Sequence, residues 1–446
     1  MTKKIKTGKY GLPLKVEYCS HCTRSNQRPS NLGEFLQTSQ DKKKYVLLDK
    51  NKICNACKFY FEKQTIDWKL REKELQELCN KFRKNNGEYD VLVPGSGGKD
   101  SIYVSHILKH KYKMNPISIT WAPTMYTNLG KKNFLSWLNT GVSNLTIYQD
   151  QKIHRLLTKL AFLKLCHPFQ PFILGQKNVA PKYAAKLNIK LVMFGEHDAE
   201  FGMMMDKKNK PEVDASFFCS DVRKDDLFLS GYKVKDLKKR YKLSYNDLEP
   251  YLPLKSKIYE QNKTQFHFFS YYKKWNFHDN YYYVVKNSNF KPSDERLEGS
   301  YDRYASMDDK IDWFHFYTFY TKFGMGRATA ATDQEIRSGV ITRDEGIALV
   351  KRFDGEFPKK YFQDVLNYMG FTSRKIGNFE KAEEFYLKGL SIKPDHNGIN
   401  EYLGELYVQT NRIDKANERL EVLKGCNCEE YGELELIIKT RGTKVY

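Results

Sequence analysis

The sequence lacks the features of a secreted or membrane-embedded chain. Nowhere do eighteen consecutive apolar residues occur, and no apolar stretch follows the lysines near the start, so neither a spanning helix nor a signal peptide is indicated. Nine cysteines among 446 residues are too few and too unevenly placed for a secreted disulfide framework. We therefore expect a cytoplasmic protein with reduced thiols and no membrane insertion.

The composition is that of a folded protein with an excess of positive charge. Hydrophobic residues make up 40% of the chain and aromatic residues 14%, and the length suits two or three domains. A formal net charge of +21 invites a nucleic-acid partner, because Lys and Arg bind phosphates. The excess is uneven, since residues 363–446 hold 12 basic and 14 acidic side chains and the first 362 residues carry +23. The tail is therefore a different kind of surface.

Four of the cysteines form two close pairs. Cys19 and Cys22 make one C-x2-C pair, Cys54 and Cys57 make the other, and 31 residues separate the pairs. Each pair can present two thiolates to one tetrahedral zinc ion. The pattern predicts a structural four-cysteine zinc site, because four thiolates leave no open coordination position for catalysis. Cys426 and Cys428 have no partner pair and receive no assignment.

A glycine-rich loop joins a buried strand to a helix. Residues 89–93 contain the short apolar run Val91-Leu-Val93, and residues 102–109 place apolar side chains on one helix face. Between them, Pro94-Gly-Ser-Gly-Gly-Lys-Asp-Ser101 lets backbone N–H groups approach an anion at a helix N-terminus. A Walker A loop fails on Val93 and Asp100, and a Rossmann fingerprint fails on Asp100.

The six residues of this loop resemble the SGG-x-DS signature of the PP-loop ATP pyrophosphatases, which belong to the adenine nucleotide alpha hydrolase-like proteins. The resemblance implies an α/β domain with a parallel sheet that splits ATP between the α and β phosphates. It implies that Ser96, Gly97, Gly98 and Ser101 hold pyrophosphate, that Lys99 neutralises developing charge, and that Asp100 orients the loop or an expected Mg²⁺ ion.

Two further strands are predicted to end at the same crevice. The first covers 116–121, which places Thr120 and Trp121 where adenine can rest. The second covers 189–194 and is followed by Gly195 and Glu196. His154, Gln176, Lys177, Asn178 and His197 are further polar candidates for this crevice, and each has a structural hydrogen-bonding role as its alternative.

A wider series of motifs, with the cysteine pairs, resembles the N-acetyl sugar amidotransferases of bacterial surface-polysaccharide biosynthesis, including lipopolysaccharide O-antigen and pseudaminic-type pathways. The resemblance covers roughly residues 15–360. Its motifs are Thr127-Asn-Leu-Gly130, His167-Pro-Phe-Gln-Pro-Phe172, Phe194-Gly-Glu196, Glu298-Gly-Ser-Tyr301, Asp308-Asp-Lys-Ile-Asp312, Lys322-Phe-Gly-Met-Gly-Arg-Ala328 and Asp354-Gly-Glu-Phe-Pro358.

This family implies an enzyme that adenylates the acetamido group of a nucleotide-linked N-acetyl sugar and replaces its oxygen with ammonia-derived nitrogen, giving an acetamidino group. Nothing in the chain resembles a glutaminase, so the ammonia is expected from a partner glutamine amidotransferase similar to the subunits of imidazole glycerol phosphate synthase. Arg327 is a candidate anchor for phosphate or the adenylate, with a surface salt bridge as its alternative.

The tail shows the 34-residue period of tetratricopeptide (TPR) units. Positions such as Ala382 and Ala416 are 34 apart, as are Gly370 and Gly404, which suit small-residue contacts inside a helical pair. We expect an N-terminal zinc-binding segment over 1–66, a PP-loop domain over 67–360 and TPR-like helices over 361–446. The tail is a candidate binding surface for a protein partner.

Two alternatives stay open at this level. Some tRNA-thiolating PP-loop enzymes also carry zinc knuckles and a basic surface, and in that case nucleic acid is the partner. Such enzymes generally use additional cysteines to carry sulfur, whereas Cys166 and Cys219 lie 53 residues apart here. The other alternative is a non-catalytic scaffold built on the repeats.

Overall fold

A computed structural model describes residues 5–29, 35, 42, 45–203 and 205–442. The chain divides into two compact units. The first, called the sheet unit, comprises Met1–Gln149 and Ala161–Phe357, and the second, called the helical unit, comprises Asp150–Leu160 and Pro358–Tyr446. The helical unit therefore takes a segment from the middle of the chain, which the sequence did not indicate.

Five parallel strands form the central sheet of the sheet unit, in the order β3-β2-β1-β4-β7. These strands are β1 (Val91–Pro94), β2 (Pro116–Trp121), β3 (Ser143–Ile147), β4 (Leu191–Phe194) and β7 (Gln265–Phe268). A separate antiparallel pair consists of β5 (Phe228–Leu229) and β6 (Tyr232–Lys233). The predicted α/β architecture with a parallel sheet is confirmed.

The central strands are buried because their residues suit a sheet covered on both faces. Val91, Leu92 and Val93 of β1 are each at most 1% exposed, and all six residues of β2 are buried. Parallel strands covered by helices show this continuous apolar character. Ser118 fits within β2 because its hydroxyl donates to the Ser143 carbonyl in the neighbouring strand.

The chain adds strands to one side of β1 first and then to its other side, so β1 and β4 flank a topological switch point. From β1 the chain proceeds to β2 and β3 on one side of the sheet, and β4 and β7 lie on the other side. In open parallel sheets, ligands bind outside the carboxyl ends of strands at such a switch point. The loop after β1 and the residues after β4 therefore lie together where a ligand crevice is expected.

Thirteen helices lie wholly within the described part of the sheet unit. They are α1 (Asn55–Lys63), α2 (Trp68–Phe82), α3 (Lys99–His110), α4 (Asn128–Leu138), α6 (Gln170–Lys186), α7 (Val234–Tyr241), α8 (Tyr245–Leu248), α9 (Ser256–Asn262), α10 (Phe269–Tyr272), α11 (Phe277–Asn287), α12 (Asp312–Phe323), α13 (Arg327–Arg337) and α14 (Arg343–Phe353). Helix α5 (Gln151–Leu165) has residues in both units. Within the described part of the chain, no helix combines the length and the apolar character needed to span a membrane.

The helical unit contains five consecutive helices after residue 358. They are α15 (Phe362–Lys375), α16 (Phe379–Ile392), α17 (Asn397–Gln409), α18 (Ile413–Leu423) and α19 (Glu429–Lys439). Gly370 of α15 lies against Tyr386 of α16, as expected for a contact inside a pair, whereas Gly404 of α17 lies against Leu434 of α19. The last helix therefore completes the packing that two repeats leave open. Their TPR identity stays a prediction.

Cys426 and Cys428 form a disulfide between α18 and α19. The expectation that every thiol is reduced therefore does not hold at this pair. The other seven cysteines are free.

Candidate active site

The glycine loop after β1 has a fixed shape that only small residues permit. Gly97 adopts a φ of +87°, and a Cβ there would lie 2.7 Å from the Phe134 Cα. A Cβ on Gly95 would lie 2.1 Å from the Ser101 Cβ. At Gly98, the N-cap of α3, a Cβ would meet nothing within 4 Å. The loop therefore packs tightly on one side and leaves open space at the start of a helix, where anions bind readily.

Lys99 and Asp100 follow this loop and form an ion pair. The Lys99 Nζ lies 2.8 Å and 2.6 Å from the two Asp100 carboxylate oxygens and 4.5 Å from the centre of the Phe277 ring. Lys99 is 4% exposed. Asp100 also accepts a hydrogen bond from the Asn280 amide at 3.4 Å. In this arrangement Asp100 holds the lysine and joins the loop to α11.

Two adjoining cavities open at this loop. The larger measures 560 Å³ and lies at the ends of β1, β2 and β4, where Trp121, Gly195 and Phe268 line it. The smaller measures 350 Å³ and is lined by side chains from α11, α13 and the segment 302–312. Both cavities share a wall formed by Ser96, Gly98, Asp100, Gln176, Glu196 and Phe201. The two cavities therefore meet at the glycine loop.

Glu196 lies on this shared wall. Burial raises the pKa of its carboxyl group above the ordinary value, the charge of Asp100 raises it further, and Lys99 opposes the shift. Perturbed carboxyl groups in a cleft are typical of functional sites, because their protonation state responds to a nearby ligand. The Glu196 carboxyl is therefore sensitive to whatever charge enters between it and Lys99.

The smaller cavity carries a concentration of acidic groups from one loop. Asp309 is 1% exposed, and its carboxylate accepts hydrogen bonds from the backbone N–H groups of Thr124, Met125 and Ile311. Burial raises the pKa of each of these carboxyl groups above its ordinary value. The pKa of Asp309 rises to about 7, that of Asp312 rises to about 6, and that of Asp308 is raised as well. The sequence reasoning assigned these carboxyl groups no role, although three aspartates within five residues is a visible signal.

Arg327 is a cationic group that lines the smaller cavity. Its Nε lies 3.7 Å from an Asp302 carboxylate oxygen and has no hydrogen-bond partner, and its guanidinium carbon lies 5.3 Å from the centre of the Phe316 ring. The arginine thus has an ion-pair partner and also lines the smaller cavity, and its role as a phosphate anchor stays a prediction. Helix α13 thus brings it to a loop more than 200 residues earlier in the chain.

The remaining candidates divide between the cavity walls and the supporting structure. Ser96, Gly98, Lys99, Asp100, Ser101, Trp121, Gln176, Lys177, Gly195, Glu196 and Arg327 line one or both cavities. The Thr120 hydroxyl instead accepts a hydrogen bond from Asn144, and Gly97 shapes the loop from behind. Asn178 donates to the Leu174 and Tyr251 carbonyls, His197 caps the turn Asp198–Phe201, and His154 belongs to the helical unit.

The four paired cysteines meet in one buried cluster. The Cys19 and Cys57 sulfurs are 3.8 Å apart, as are those of Cys22 and Cys54, and all four sulfurs lie within 4.8 Å of one another. Zinc–sulfur bonds of about 2.3 Å in a tetrahedron place sulfurs about 3.8 Å apart. Backbone N–H groups of His21 and Cys54 point at the Cys19 sulfur. The cluster therefore fits zinc.

The segment that follows the first cysteine pair packs on the back of α13. The Arg24 guanidinium is 1% exposed and its Nε lies 2.6 Å from Asp333, and the Thr23 hydroxyl lies 2.8 Å from that of Thr332. Burial opposes ionisation of Asp333, but Arg24 and Arg337 outweigh it and hold the pKa below its usual value. The opposite face of α13 lines the smaller cavity. The cysteine cluster thus supports a wall of the candidate site.

Two glycine substitutions should separate folding of the loop from binding. Gly97→Ala should lower the melting temperature, because it combines a strained positive φ with a clash against Phe134. Gly98→Ala should leave the melting temperature unchanged. If the loop holds ATP, as its resemblance to the PP-loop signature implies, this substitution should weaken ATP binding at least about tenfold, because its methyl group enters the open space. Thermal melts and calorimetric titration measure the two effects. Wild-type ATP affinity in Gly98→Ala would contradict this assignment of the loop.

The raised pKa of Asp312 should make stability fall as the pH rises. Below pH 4 both the folded and unfolded states hold the proton, whereas between pH 4 and 6 the unfolded state releases it first, so the folded state loses relative stability. Asp312→Asn removes this loss. The change that the substitution causes in the free energy of unfolding should therefore be more favourable at pH 7.5 than at pH 4, by about 1–3 kcal/mol. Denaturant unfolding at both pH values measures the difference. The exposed Asp294→Asn is the control, and an equal effect of Asp312→Asn at both pH values would refute the prediction.

Known proteins resemble parts of this chain. Residues 298–388 match the family model described as LPS biosynthesis protein WbpG-like, C-terminal domain. The chain is also 31% identical over 77 residues to an uncharacterized protein of Methanocaldococcus jannaschii, a stretch covering 17% of this chain and 27% of that protein's length. The matched family segment includes Asp308, Asp309, Asp312 and Arg327, all of which line the smaller cavity. This similarity supports a family related to LPS biosynthesis.

Proposed function

We propose that the protein is an ATP-dependent amidotransferase that acts on a nucleotide-linked N-acetyl sugar in LPS O-antigen-like polysaccharide biosynthesis. The observation that carries the proposal is the shared wall between the two cavities. A reaction in which ATP activates an amide needs two substrates in contact at one phosphate-binding element, and Ser96, Gly98, Asp100 and Glu196 face both cavities.

The larger cavity suits the nucleotide. Its walls at the strand ends are mostly apolar or aromatic, with Trp121, Phe194 and Phe268 among them, and an adenine ring binds well between such groups. Its phosphates would then lie over Gly98 and the first turn of α3. Lys99 would donate to the phosphate oxygens, so its bond to Asp100 would weaken and Asp100 could turn toward a bound Mg²⁺ ion.

The smaller cavity suits the sugar. Carboxylates accept hydrogen bonds from sugar hydroxyl groups, and the acidic loop provides Asp308, Asp309 and Asp312. Phe169 and Phe172 provide apolar surface for the ring face, and Arg327 provides the charge for a phosphate of the sugar nucleotide. The acetamido oxygen would meet the α-phosphate at the shared wall, where pyrophosphate leaves as the amide is adenylated.

Ammonia would then displace AMP and leave an acetamidino group. We propose that it comes from a partner glutamine amidotransferase similar to the imidazole glycerol phosphate synthase subunits. The helical unit is the proposed surface for a protein partner. The Cys166 and Cys219 thiols do not line either cavity among the described residues, and burial raises the pKa of Cys219 to about 12. Neither observation favours tRNA thiolation.

The test is pyrophosphate release from ATP with ammonium and a panel of UDP-linked acetamido sugars, alongside unmodified tRNA. We expect one sugar to stimulate release and to yield an amidine that mass spectrometry detects as a one-unit decrease in mass, since NH replaces O. Stimulation by tRNA alone would refute the proposal and favour the thiolation alternative. No stimulation by any sugar or by tRNA would also count against the proposed reaction.

A further inference from the structure

A chain of hydrogen bonds on the wall of the smaller cavity lies outside the nucleotide loop. The Tyr301 hydroxyl donates to one Glu335 carboxylate oxygen at 2.6 Å, and the other oxygen lies 3.2 Å from the His278 Nε2. The His278 Nδ1 lies 3.3 Å from the Tyr304 hydroxyl. His278, Tyr304 and Glu335 all line the cavity. Three separate parts of the chain therefore converge on one ordered set of titratable groups.

The partners of His278 fix the direction of these bonds. Glu335 accepts only, so a neutral imidazole carries its proton on Nε2 and leaves Nδ1 as an acceptor. Tyr304 must then donate its proton to Nδ1, and its second lone pair remains for a ligand in the cavity. A carboxylate that orients a histidine, which in turn accepts from a hydroxyl, is the arrangement that serves acyl-transfer catalysis elsewhere.

Neighbouring side chains hold the Tyr304 ring in place, and charged groups lie close to its hydroxyl. The Tyr304 ring stacks on Tyr281 with centroids 4.4 Å apart. Burial, the charges of Glu335 and Asp302 and the neighbouring Tyr282 all raise the pKa of Tyr304, while Arg327 opposes them, so the phenol holds its proton and stays a donor to His278.

The set is also fixed relative to the glycine loop. His278 is the second residue of α11, which begins at Phe277 against Lys99 and bonds Asp100 through Asn280. The helix that contacts Lys99 and Asp100 therefore also carries the histidine. Tyr304, Lys99 and Asp100 all face the smaller cavity.

We propose that Tyr304, His278 and Glu335 form a proton relay that accepts a proton from ammonia as it attacks the adenylated amide. The inference rests on the proposed function. The ammonia nitrogen forms a bond to the imidate carbon and one of its protons passes to the Tyr304 oxygen as the phenolic proton moves to the His278 Nδ1. The carbon–oxygen bond then breaks, and AMP leaves with the electron pair. The step involves no change of oxidation state. Tyr304 is the catalytic residue, because it exchanges a proton with the attacking nitrogen, and Glu335 is a positioning residue that orients the imidazole.

The two half-reactions of the enzyme can be measured separately. Sugar-dependent exchange of labelled pyrophosphate into ATP reports adenylation, and ammonium-dependent formation of AMP and amidine reports the second step. In Tyr304→Phe and His278→Asn we expect exchange within about threefold of wild type and a loss of amidine formation of about 100-fold or more. At constant free ammonia, the limb of the pH–rate profile that reports a deprotonating base should also disappear.

Matched variants keep the test specific. Tyr304→Phe retains the ring that stacks on Tyr281 and removes only the hydroxyl, so it should fold. Tyr148→Phe, at a tyrosine that is 70% exposed, and the exposed His110→Asn should match wild type in both assays. An equal loss of both half-reactions in Tyr304→Phe, or no loss in either, would refute the relay alone. Absence of sugar-dependent exchange in wild type would refute the proposed function and the relay with it.

Discussion

Replacement of Lys99 by alanine should reduce pyrophosphate formation about 100-fold to 1,000-fold while the protein stays folded. Preorganised charges aimed at a phosphate in a site of low water content account for effects of this size. Lys99 is 4% exposed and lies between Asp100 and the Phe277 ring, so its ammonium group is held close to the open side of Gly98. Removal of that charge leaves Asp100 and Glu196 without a cation between them.

The loss of Lys99 should also move the pH dependence of the remaining activity. The positive charge of Lys99 lowers the pKa of Glu196, against the effects of burial and Asp100. Without it the Glu196 pKa rises, so the carboxyl group ionises at a higher pH and the pH–rate profile shifts in the same direction.

Single-turnover pyrophosphate release measures this prediction, and thermal melts check the fold. Lys132→Ala is the matched control, because this lysine is exposed on α4 and should retain wild-type activity. Wild-type turnover in Lys99→Ala would remove the basis for the proposed nucleotide site.

Replacement of Cys54 by serine should abolish metal binding and destabilise the sheet unit. Structural zinc contributes about 10–16 kcal/mol of binding free energy in small zinc-dependent folds, and a site with one hydroxyl in place of a thiolate loses most of it. We expect about one zinc per chain in the wild type by elemental analysis and almost none in Cys54→Ser. The melting temperature should fall markedly and become insensitive to added chelator.

This substitution should also impair activity, although the cysteines lie away from the cavities. Arg24 and Thr23, next to Cys22 in sequence, bond to Asp333 and Thr332 on the back of α13, and the front of that helix carries Arg327 and Glu335. A disordered cysteine-bearing segment would remove Arg24, the ion-pair partner of Asp333, and breaking a buried ion pair costs about 3–5 kcal/mol. Cys166→Ser, at a half-buried and isolated thiol, is the control and should keep both metal and activity. A full zinc content in Cys54→Ser would exclude the four-cysteine site.

Local sequence patterns were sufficient to predict the glycine loop and the four-cysteine cluster. Glycines at 97 and 98 between a β-branched strand and a helix permit the positive φ and the close backbone packing that such a loop needs, so the sequence predicted the strand, loop and helix around Lys99 closely. Two C-x2-C pairs likewise brought four thiols together, and the structure places their sulfurs within 4.8 Å. In both cases the residues concerned are close together in sequence or are expected to bind the same metal ion.

The sequence predicted long-range contacts only in part. Thr120 belongs to a correctly predicted strand, but strand alternation turns its hydroxyl toward Asn144 of β3 rather than toward a cavity. The sequence contained no sign that β3 would lie there. His278, Tyr304 and Glu335 are separated by up to 57 residues, and no pattern of spacing relates them.

The sequence by itself determined the parallel α/β sheet, the cysteine cluster and the glycine loop, because periodicity, β-branching and glycine geometry act over a few residues. Tertiary structure decided which faces meet. It placed Arg327 and the acidic loop around the same cavity as Lys99, put the cysteine-bearing segment behind α13 and joined three distant polar groups into one hydrogen-bonded set. The physical reason is that such contacts depend on how whole helices pack on the sheet, which the sum of all buried surfaces sets and no short segment specifies.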